Sequence, residues 1–374
     1  MGQQRRALIV GGGIAGMASA IMLGRIGVSV KLIDLDPGWR VYGAGITITG
    51  PTLRAMKQLG IYEQVAAQAY VGHGIRVCNV AGVPMDEVAT PIAPEAGVAG
   101  CGGIMRPVLH RLLSEQVRAS GAEVVLGCTV SDMADEDGGA LVRCSDGSVE
   151  RFDLVVGADG LFSRVRQLLF PQAEPPRYMG QYVWRTVAPR PPGLDQRHFF
   201  LGGPHKVGLT PVSADAMYMF LLEAREDRQN VADADLAPTL ARLLATYGGP
   251  LRDIRENLSD RSPIIVRPLE AFRLPSPWSR GCVQLIGDAA HPTTPQLASG
   301  AGLAIEDALV LAEELAATQD VRAALTQFMA RRYARCQLVV DSSFAIGDKE
   351  RAGAPAQEQT AILARSLASL AEEI

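Results

Sequence analysis

Residues 7–16 read Ala-Leu-Ile-Val-Gly-Gly-Gly-Ile-Ala-Gly, an apolar run that breaks into a glycine-rich turn. A helix is expected from there through about residue 26. Residues 28–33 read as a second apolar strand, with Asp34 at its end. Strand, glycine turn, helix, strand and acid in that order form a βαβ unit suited to a dinucleotide. Gly11 permits the tight turn, Gly13 lets the backbone approach a pyrophosphate, and Gly16 lets the helix pack closely on the sheet. The helix start at Ile14 and Ala15 offers N–H groups and partial positive charge to the phosphates. Asp34 is the acid expected to grip an adenosine ribose hydroxyl. These residues point to an ADP-containing dinucleotide and leave NAD and FAD open.

Outward from this unit, 374 residues are too many for one ordinary core and fit two interwoven domains. A composition of 48% hydrophobic and 20% charged residues is that of a globular protein with ample apolar surface to bury. The net charge of −4 provides no electrostatic attraction to nucleic acid or an anionic membrane. Lysine occurs only at 31, 57, 206 and 349, a bias of GC-rich bacterial genomes. Six cysteines stand singly with no CxxC pair, so neither a metal site nor a redox-active disulfide is expected, only buried free thiols. The opening residues carry no signal-peptide core, and Arg6 stands where a myristoylation motif needs Ser or Thr. No apolar run is long enough to span a bilayer, and a cytoplasmic protein is expected.

Helical spacing recurs at 52–59, 106–118, 236–246, 302–316 and 321–340, and a hairpin is expected around Asp146-Gly147. Between 178 and 223 the pattern changes to strands, at 178–188, 198–201, 206–212 and 217–223, separated by Pro and Gly turns. At 356–374, Ile362, Leu363, Leu367 and Leu370 share a face that should dock on the body. The coarse architecture is α/β (α+β), with a strand-rich insert interrupting the first domain.

Two further motifs choose the cofactor. Residues 153–166 read Asp-Leu-Val-Val-Gly-Ala-Asp-Gly-Leu-Phe-Ser-Arg-Val-Arg. Residues 285–307 begin Leu-Ile-Gly-Asp-Ala-Ala-His-Pro and continue through Pro295 and Ser299-Gly300-Ala301-Gly302 to Glu306-Asp307. Asp288 follows a buried strand, where its carboxylate can accept hydrogen bonds from a polyol; a helix cap is the plainer role. Gly300, Ala301 and Gly302 open a helix whose free N–H groups and dipole favour negative charge. Pro292 and Pro295 stiffen the loop that would hold a flat ring edge-on. His291 reads as a structural loop histidine.

With the glycine loop, these stretches closely resemble the signatures of the class A flavoprotein monooxygenases, the para-hydroxybenzoate and salicylate hydroxylase family. The resemblance implies a Rossmann-like FAD-binding domain with an inserted β-sheet substrate domain. On that pattern, 1–70, 104–174 and 276–345 form the FAD-binding domain, 71–103 and 175–275 the substrate domain, and 346–374 a helical tail. It implies FAD as cofactor, with NADH or NADPH as transient reductant. Arg40 is placed near the pyrophosphate, Gly45 and Ile46 beside the flavin, Arg106 within reach of FAD, and Val130 against adenine. Asp159 is placed at the FAD site and in productive nicotinamide binding. The implied chemistry is hydroxylation of a small aromatic or heteroaromatic substrate by O₂ through a flavin C4a-hydroperoxide. It needs no metal and no protein nucleophile. A monomer or homodimer is expected.

The substrate wall is expected from the insert. Alternation puts Tyr182, Trp184 and Thr186 on one face and Arg185 on the other, and groups Lys206 with Gly208 and Thr210. Tyr218 and Phe220 oppose Met217, Met219 and Leu221; period does not say which face meets the flavin. In urate-hydroxylase-like relatives, a basic residue near Lys206, a tyrosine near Tyr218 and an acid at the Gln296 position handle the substrate. The acid is missing here, which speaks against urate. Pro295, Lys206, Tyr218 and Arg185 are the expected catalytic-site residues, although Lys206 also fits a solvated strand position and Tyr218 a core one. The alternatives are an antibiotic- or secondary-metabolite-modifying flavin monooxygenase and a non-catalytic flavin-binding sensor. A halogenase is disfavoured, because Trp39, Trp184 and Trp278 stand alone without the Trp-x-Trp-x-Ile motif.

Overall fold

In the computed structural model, which describes residues 4–374 except Tyr42, Ala93 and Asp137, strand Arg6–Val10 sits inside a six-stranded sheet. Residues 1–3, on which part of the N-terminal reading rests, lie outside the described residues. Across the sheet the order is Ser279–Arg280, Val283–Leu285, Leu154–Gly157, Arg6–Val10, Ser29–Asp34 and Glu123–Leu126. All neighbours are parallel except the first pair. Ala7 to Val10 are buried on both faces, which is why the run is continuously apolar. Helix Ile14–Arg25 packs against helix Gly300–Ala317. Two glycines let the turn and the first helix close onto the sheet. Gly11 adopts φ +106°, and a Cβ on Gly16 would stand 1.8 Å from the Gly11 carbonyl oxygen.

The second large sheet has seven strands. Their order is Ile265–Ala271, Arg177–Pro189, Ala216–Ala224, Lys206–Pro211, Arg197–Phe200, Ile75–Cys78 and Pro84–Val88. Only Arg197–Phe200 and Ile75–Cys78 run parallel. Register settles what period left open. Lys206 opposes Leu222, Gly208 opposes Phe220, and Thr210 opposes Tyr218. Phe220 in turn opposes Arg185, and Phe199 opposes Gly208. Directly opposed residues share a face, so these side chains all point one way. The other face, with Trp184, Val207, Leu209, Met217, Met219 and Leu221, is covered by Leu240, Leu244, Leu251 and Ile254 from two short helices and the turn between them.

Two smaller sheets complete the body. Gly45–Thr49, Cys101–Met105 and Tyr70–Gly72 pair antiparallel, and none of these strands was legible in the sequence pattern. The other is the meander Val130–Glu136, Gly139–Cys144 and Val149–Phe152, which contains the expected hairpin. The sequence pattern ended a helix near 340; the structure carries it from Val321 to Arg351. Val340, Phe344 and Gly347 continue the buried stripe, so nothing stops the helix before Gly353 and Pro355. The last helix, Ala356–Ala371, docks on the main core through Leu363, Leu367 and Leu370. Arg54 holds its end by donating to the Ala371 and Glu372 carbonyls at 2.6 and 2.8 Å.

Candidate functional site

A cavity of about 460 Å³ lies between the loops at the strand ends of the six-stranded sheet and one face of the seven-stranded sheet. Gly13, Ile14 and Ala15 reach it from the glycine loop and the helix start, Gly45 and Ile46 from the small-sheet strand Gly45–Thr49, and Arg106 from the start of helix Arg106–Ala119. Asp288, Pro295, Gly300 and Ala301 line it from the second motif, and Arg185, Lys206 and Tyr218 from the seven-stranded sheet. These residues span 13 to 301 in the chain, and the fold brings them around one space.

Two helix starts face this space. Gly13 and Ser299 are the N-caps of the helices at Ile14 and Gly300, and neither start is capped by a side chain. Their first N–H groups remain available to an anionic group. An alanine Cβ at Gly13 would meet no atom of the chain within 4 Å, so the backbone there is open to the approach of a ligand. Asp288 lies in the turn Gly287–Ala289, caps nothing, and presents its carboxylate to the cavity. Desolvation raises its pKa, against the pull of His291 and Arg106. Ala298, beside the second helix start, is held at φ +51°, a left-handed conformation that alanine rarely adopts. An extended dinucleotide with a flat ring at one end fits this set of donors, openings and carboxylate.

Several expected residues lie outside the cavity lining. Gly11, Gly16 and Gly302 serve close packing; a Cβ on Gly302 would stand 2.2 Å from Thr52 Oγ1. Asp34 accepts from the Gly12 N–H at 2.6 Å and so ties the second strand to the glycine turn. Arg40 is paired with Asp36 at 3.0 Å on the exposed side. Val130 is buried at the start of its strand. Asp159 accepts from the Arg164 and Val165 N–H groups and, with Ser163, caps helix Arg164–Leu169. Its pKa is raised by desolvation, against those hydrogen bonds.

On the sheet side, Arg185 Nε donates to Tyr218 Oη at 3.0 Å. The Tyr218 ring packs with Ala44 and Val212, so it is a core residue and a polar cavity group at once. Gly45 makes that approach possible, since a Cβ there would stand 2.6 Å from Tyr218 Cβ. The reading of Lys206 as solvated is corrected: its side chain is buried and paired with Glu350 at 2.9 Å. Sequence reasoning missed Glu350, Arg197 and Phe199. Arg197 and Phe199 are two apart on one strand, a signal lost by starting that strand at 198. Glu350 lies beyond the expected end of its helix and carried no signal. Trp39 was also missed; its Nε1 donates to the Gly12 carbonyl at 2.9 Å.

Among the described residues two groups bring metal-capable atoms within 4.8 Å of one another. In His291, Asp307 and Cys336, the Asp307 oxygens are taken by Gly287 N–H, His291 and Arg332, which makes an ion-pair network. Cys128, Cys144 and Asp146 meet at the hairpin, away from the cavity lining. No helix among the described residues is long and apolar enough to cross a membrane.

An FAD binding domain family model matches residues 4–343. The chain is 31% identical to the aurachin C monooxygenase/isomerase of Stigmatella aurantiaca, over 91% of this chain and 88% of that protein. It is 30% identical, with the same coverage, to the 2-heptyl-3-hydroxy-4(1H)-quinolone synthase of Pseudomonas aeruginosa. Among solved structures it is similar to Klebsiella pneumoniae HpxO complexed with FAD and uric acid. The TM-score is 0.85 at 25% identity, covering 99% of this chain and 93% of that one. The expected fold, para-hydroxybenzoate hydroxylase-like, is therefore the observed one.

Proposed function

The chain belongs to the FAD-dependent aromatic monooxygenases, and we propose that it uses NADH or NADPH and O₂ to hydroxylate a small aromatic or heteroaromatic ring. FAD, when bound, takes electrons from the nicotinamide and activates O₂; the protein's share is binding, orientation and exclusion of water. The observation that carries the reading is one cavity shared by two uncapped helix starts, an open carboxylate and an Arg–Tyr pair.

In this reading, Gly13 to Ala15 receive the pyrophosphate, and Asp288 accepts hydrogen bonds from the ribityl chain. Asp34, Arg40 and Val130 serve the adenosine diphosphate end, and Asp159 keeps the neighbouring turn in place. Gly45, Ile46 and Arg106 border the flavin. The helix start at Gly300 and Ala301 stabilises negative charge on the reduced ring, with Pro295 at its edge and Gly302 seating the helix. Arg185 engages the Tyr218 oxygen as an acceptor, which leaves the tyrosine proton free to point at a substrate oxygen. Segments 71–103 and 175–275 form the substrate-facing part. The uric acid in the HpxO complex and the quinolone in the synthase's name support a ring of this size and chemistry.

The test is to supply FAD-loaded protein with NADH or NADPH, ¹⁸O₂ and a panel of phenols, hydroxypyridines and quinolones. A substrate should accelerate nicotinamide oxidation and yield product carrying one ¹⁸O. Protein that retains no FAD, or that oxidises nicotinamide without oxygenating any ring, would overturn the proposal.

A further inference from the structure

The charge of Lys206 is already balanced inside the protein. Its Nζ lies 2.9 Å from Glu350 Oε1, with 10% and 6% of the two side chains exposed. Glu350 comes from the last turn of helix Val321–Arg351. Gly347 lets that helix approach, since a Cβ there would stand 3.3 Å from both Gln181 Oε1 and Gln296 Nε2. Glu350 Oε2 accepts from Gln181 Nε2 and Gln296 Nε2, each at 3.1 Å. Gln296 Nε2 also donates to Gln181 Oε1 at 3.0 Å. Both carboxylate oxygens are thus engaged, and the amide of Gln296 is held in one orientation. That orientation leaves Gln296 Oε1 buried with no donor.

Lys206 and Gln296 both line the cavity; Glu350 stands behind them. Resting on the monooxygenase reading, we infer that Glu350 is a specificity-determining positioning residue, which makes this end of the cavity accept an uncharged ring edge bearing an N–H or O–H donor and reject a carboxylate. A carboxylate placed here would find the Lys206 charge already neutralised, Glu350 repelling it, and a Gln296 oxygen that accepts rather than donates. A ring donor would instead satisfy that oxygen, which otherwise stays desolvated and unpaired. The largely buried position of the pair makes its effect on a neighbouring charge larger than that of a surface pair. The specificity thus depends on a residue 144 positions from the lysine it controls.

Calorimetric titration of the FAD-loaded protein with benzoate and benzamide, rings of like shape of which one is anionic and the other uncharged, tests this. Glu350→Gln should tighten benzoate by about tenfold while changing benzamide by less than about threefold. Glu350→Asp, which keeps the charge, should hold the wild-type ratio. In Glu350→Gln/Lys206→Met the benzoate gain should vanish. Lys206→Met alone, leaving the carboxylate bare, should shift the ratio the other way, which provides a result even if Glu350→Gln does not fold. An unchanged ratio in Glu350→Gln and Lys206→Met, or a benzoate gain that survives loss of Lys206, overturns the inference. Calorimetry reads these ratios whether or not either compound is oxygenated, so failure of the monooxygenase reading and failure of this inference are distinguishable.

Discussion

His291 Nε2 and Asp307 Oδ2 stand 2.6 Å apart, with 1% and 0% of their side chains exposed. The same oxygen accepts the Gly287 N–H at 2.9 Å, and Asp307 Oδ1 accepts from Arg332 Nε at 2.8 Å. One carboxylate therefore ties the turn that carries Asp288 to helices Gly300–Ala317 and Val321–Arg351. Asp307→Asn would leave the His291 charge buried without its counter-ion and Arg332 paired through Glu306 alone. The expected loss is about 3–5 kcal/mol of stability, read as a lower urea midpoint. A midpoint equal to wild type would show that the network does not hold the turn.

The pair also predicts a pH dependence. Burial by itself lowers the pKa of His291, but Cys336 and Asp307 carry it well above its ordinary 6.5. Burial raises Asp307, while His291 and Arg332 bring it below its ordinary 3.8. The histidine's contribution is complete below its unfolded pKa and is lost as pH rises through its folded one. The aspartate's is complete above its unfolded pKa and is lost as pH falls through its folded one. Wild-type urea midpoints measured from about pH 6 to 10 should therefore fall on the alkaline side, and His291→Gln should flatten that limb. Parallel profiles for the two proteins would contradict a charged His291.

Gly13 and Gly16 should separate ligand binding from packing. Gly13 sits at φ −77°, open to any residue, with nothing near a new Cβ, so Gly13→Ala should leave apo stability within about 0.5 kcal/mol of wild type. Its methyl group would occupy the pyrophosphate approach and weaken FAD by about tenfold or more. Gly16→Ala, with its Cβ 1.8 Å from the Gly11 carbonyl oxygen, should cost about 1–3 kcal/mol of apo stability. Flavin fluorescence titration and urea unfolding distinguish the two outcomes.

Tyr218→Phe keeps the ring packed but leaves Arg185 Nε without its acceptor. Substrate-dependent kcat/KM should fall by about tenfold or more with FAD content unchanged. Wild-type kcat/KM would remove Tyr218 from the site.

Arg197 is 4% exposed and lines the cavity; its guanidinium lies 5.4 Å from the Phe199 ring centroid, and the titratable groups that act on it are Cys101 and Tyr70. Burial raises the pKa of that thiol and carries that of the phenol to about 12, so both are neutral near pH 7. Desolvation without a carboxylate lowers the Arg197 pKa. Arg197→Met should therefore stabilise the ligand-free protein by about 1–3 kcal/mol and slow turnover, as expected where stability is spent on a site. A less stable variant would mean the guanidinium is compensated after all.

What could be read in advance was whatever depends on local backbone geometry. The tight turn at Gly11, the open approach at Gly13, the helix start at Gly300 and the strand ending before Asp288 are each specified by a few adjacent residues. Their order along the chain identified the cofactor and the family. Alternation on the insert strands also showed correctly which side chains travel together, such as Tyr218 with Phe220.

Tertiary structure decided which of the two faces meets the cavity. Both faces of strand Ala216–Ala224 carry large apolar side chains, so period 2 gives them equal claim. The short helices that bury Met217, Met219 and Leu221 break the tie. Only the tertiary structure could show that Lys206 faces Glu350 or that His291 faces Asp307, because ion pairing acts through space and leaves no periodic trace in the chain. The glycine motifs are local and were legible; the charges that tune the site are distant partners and were not.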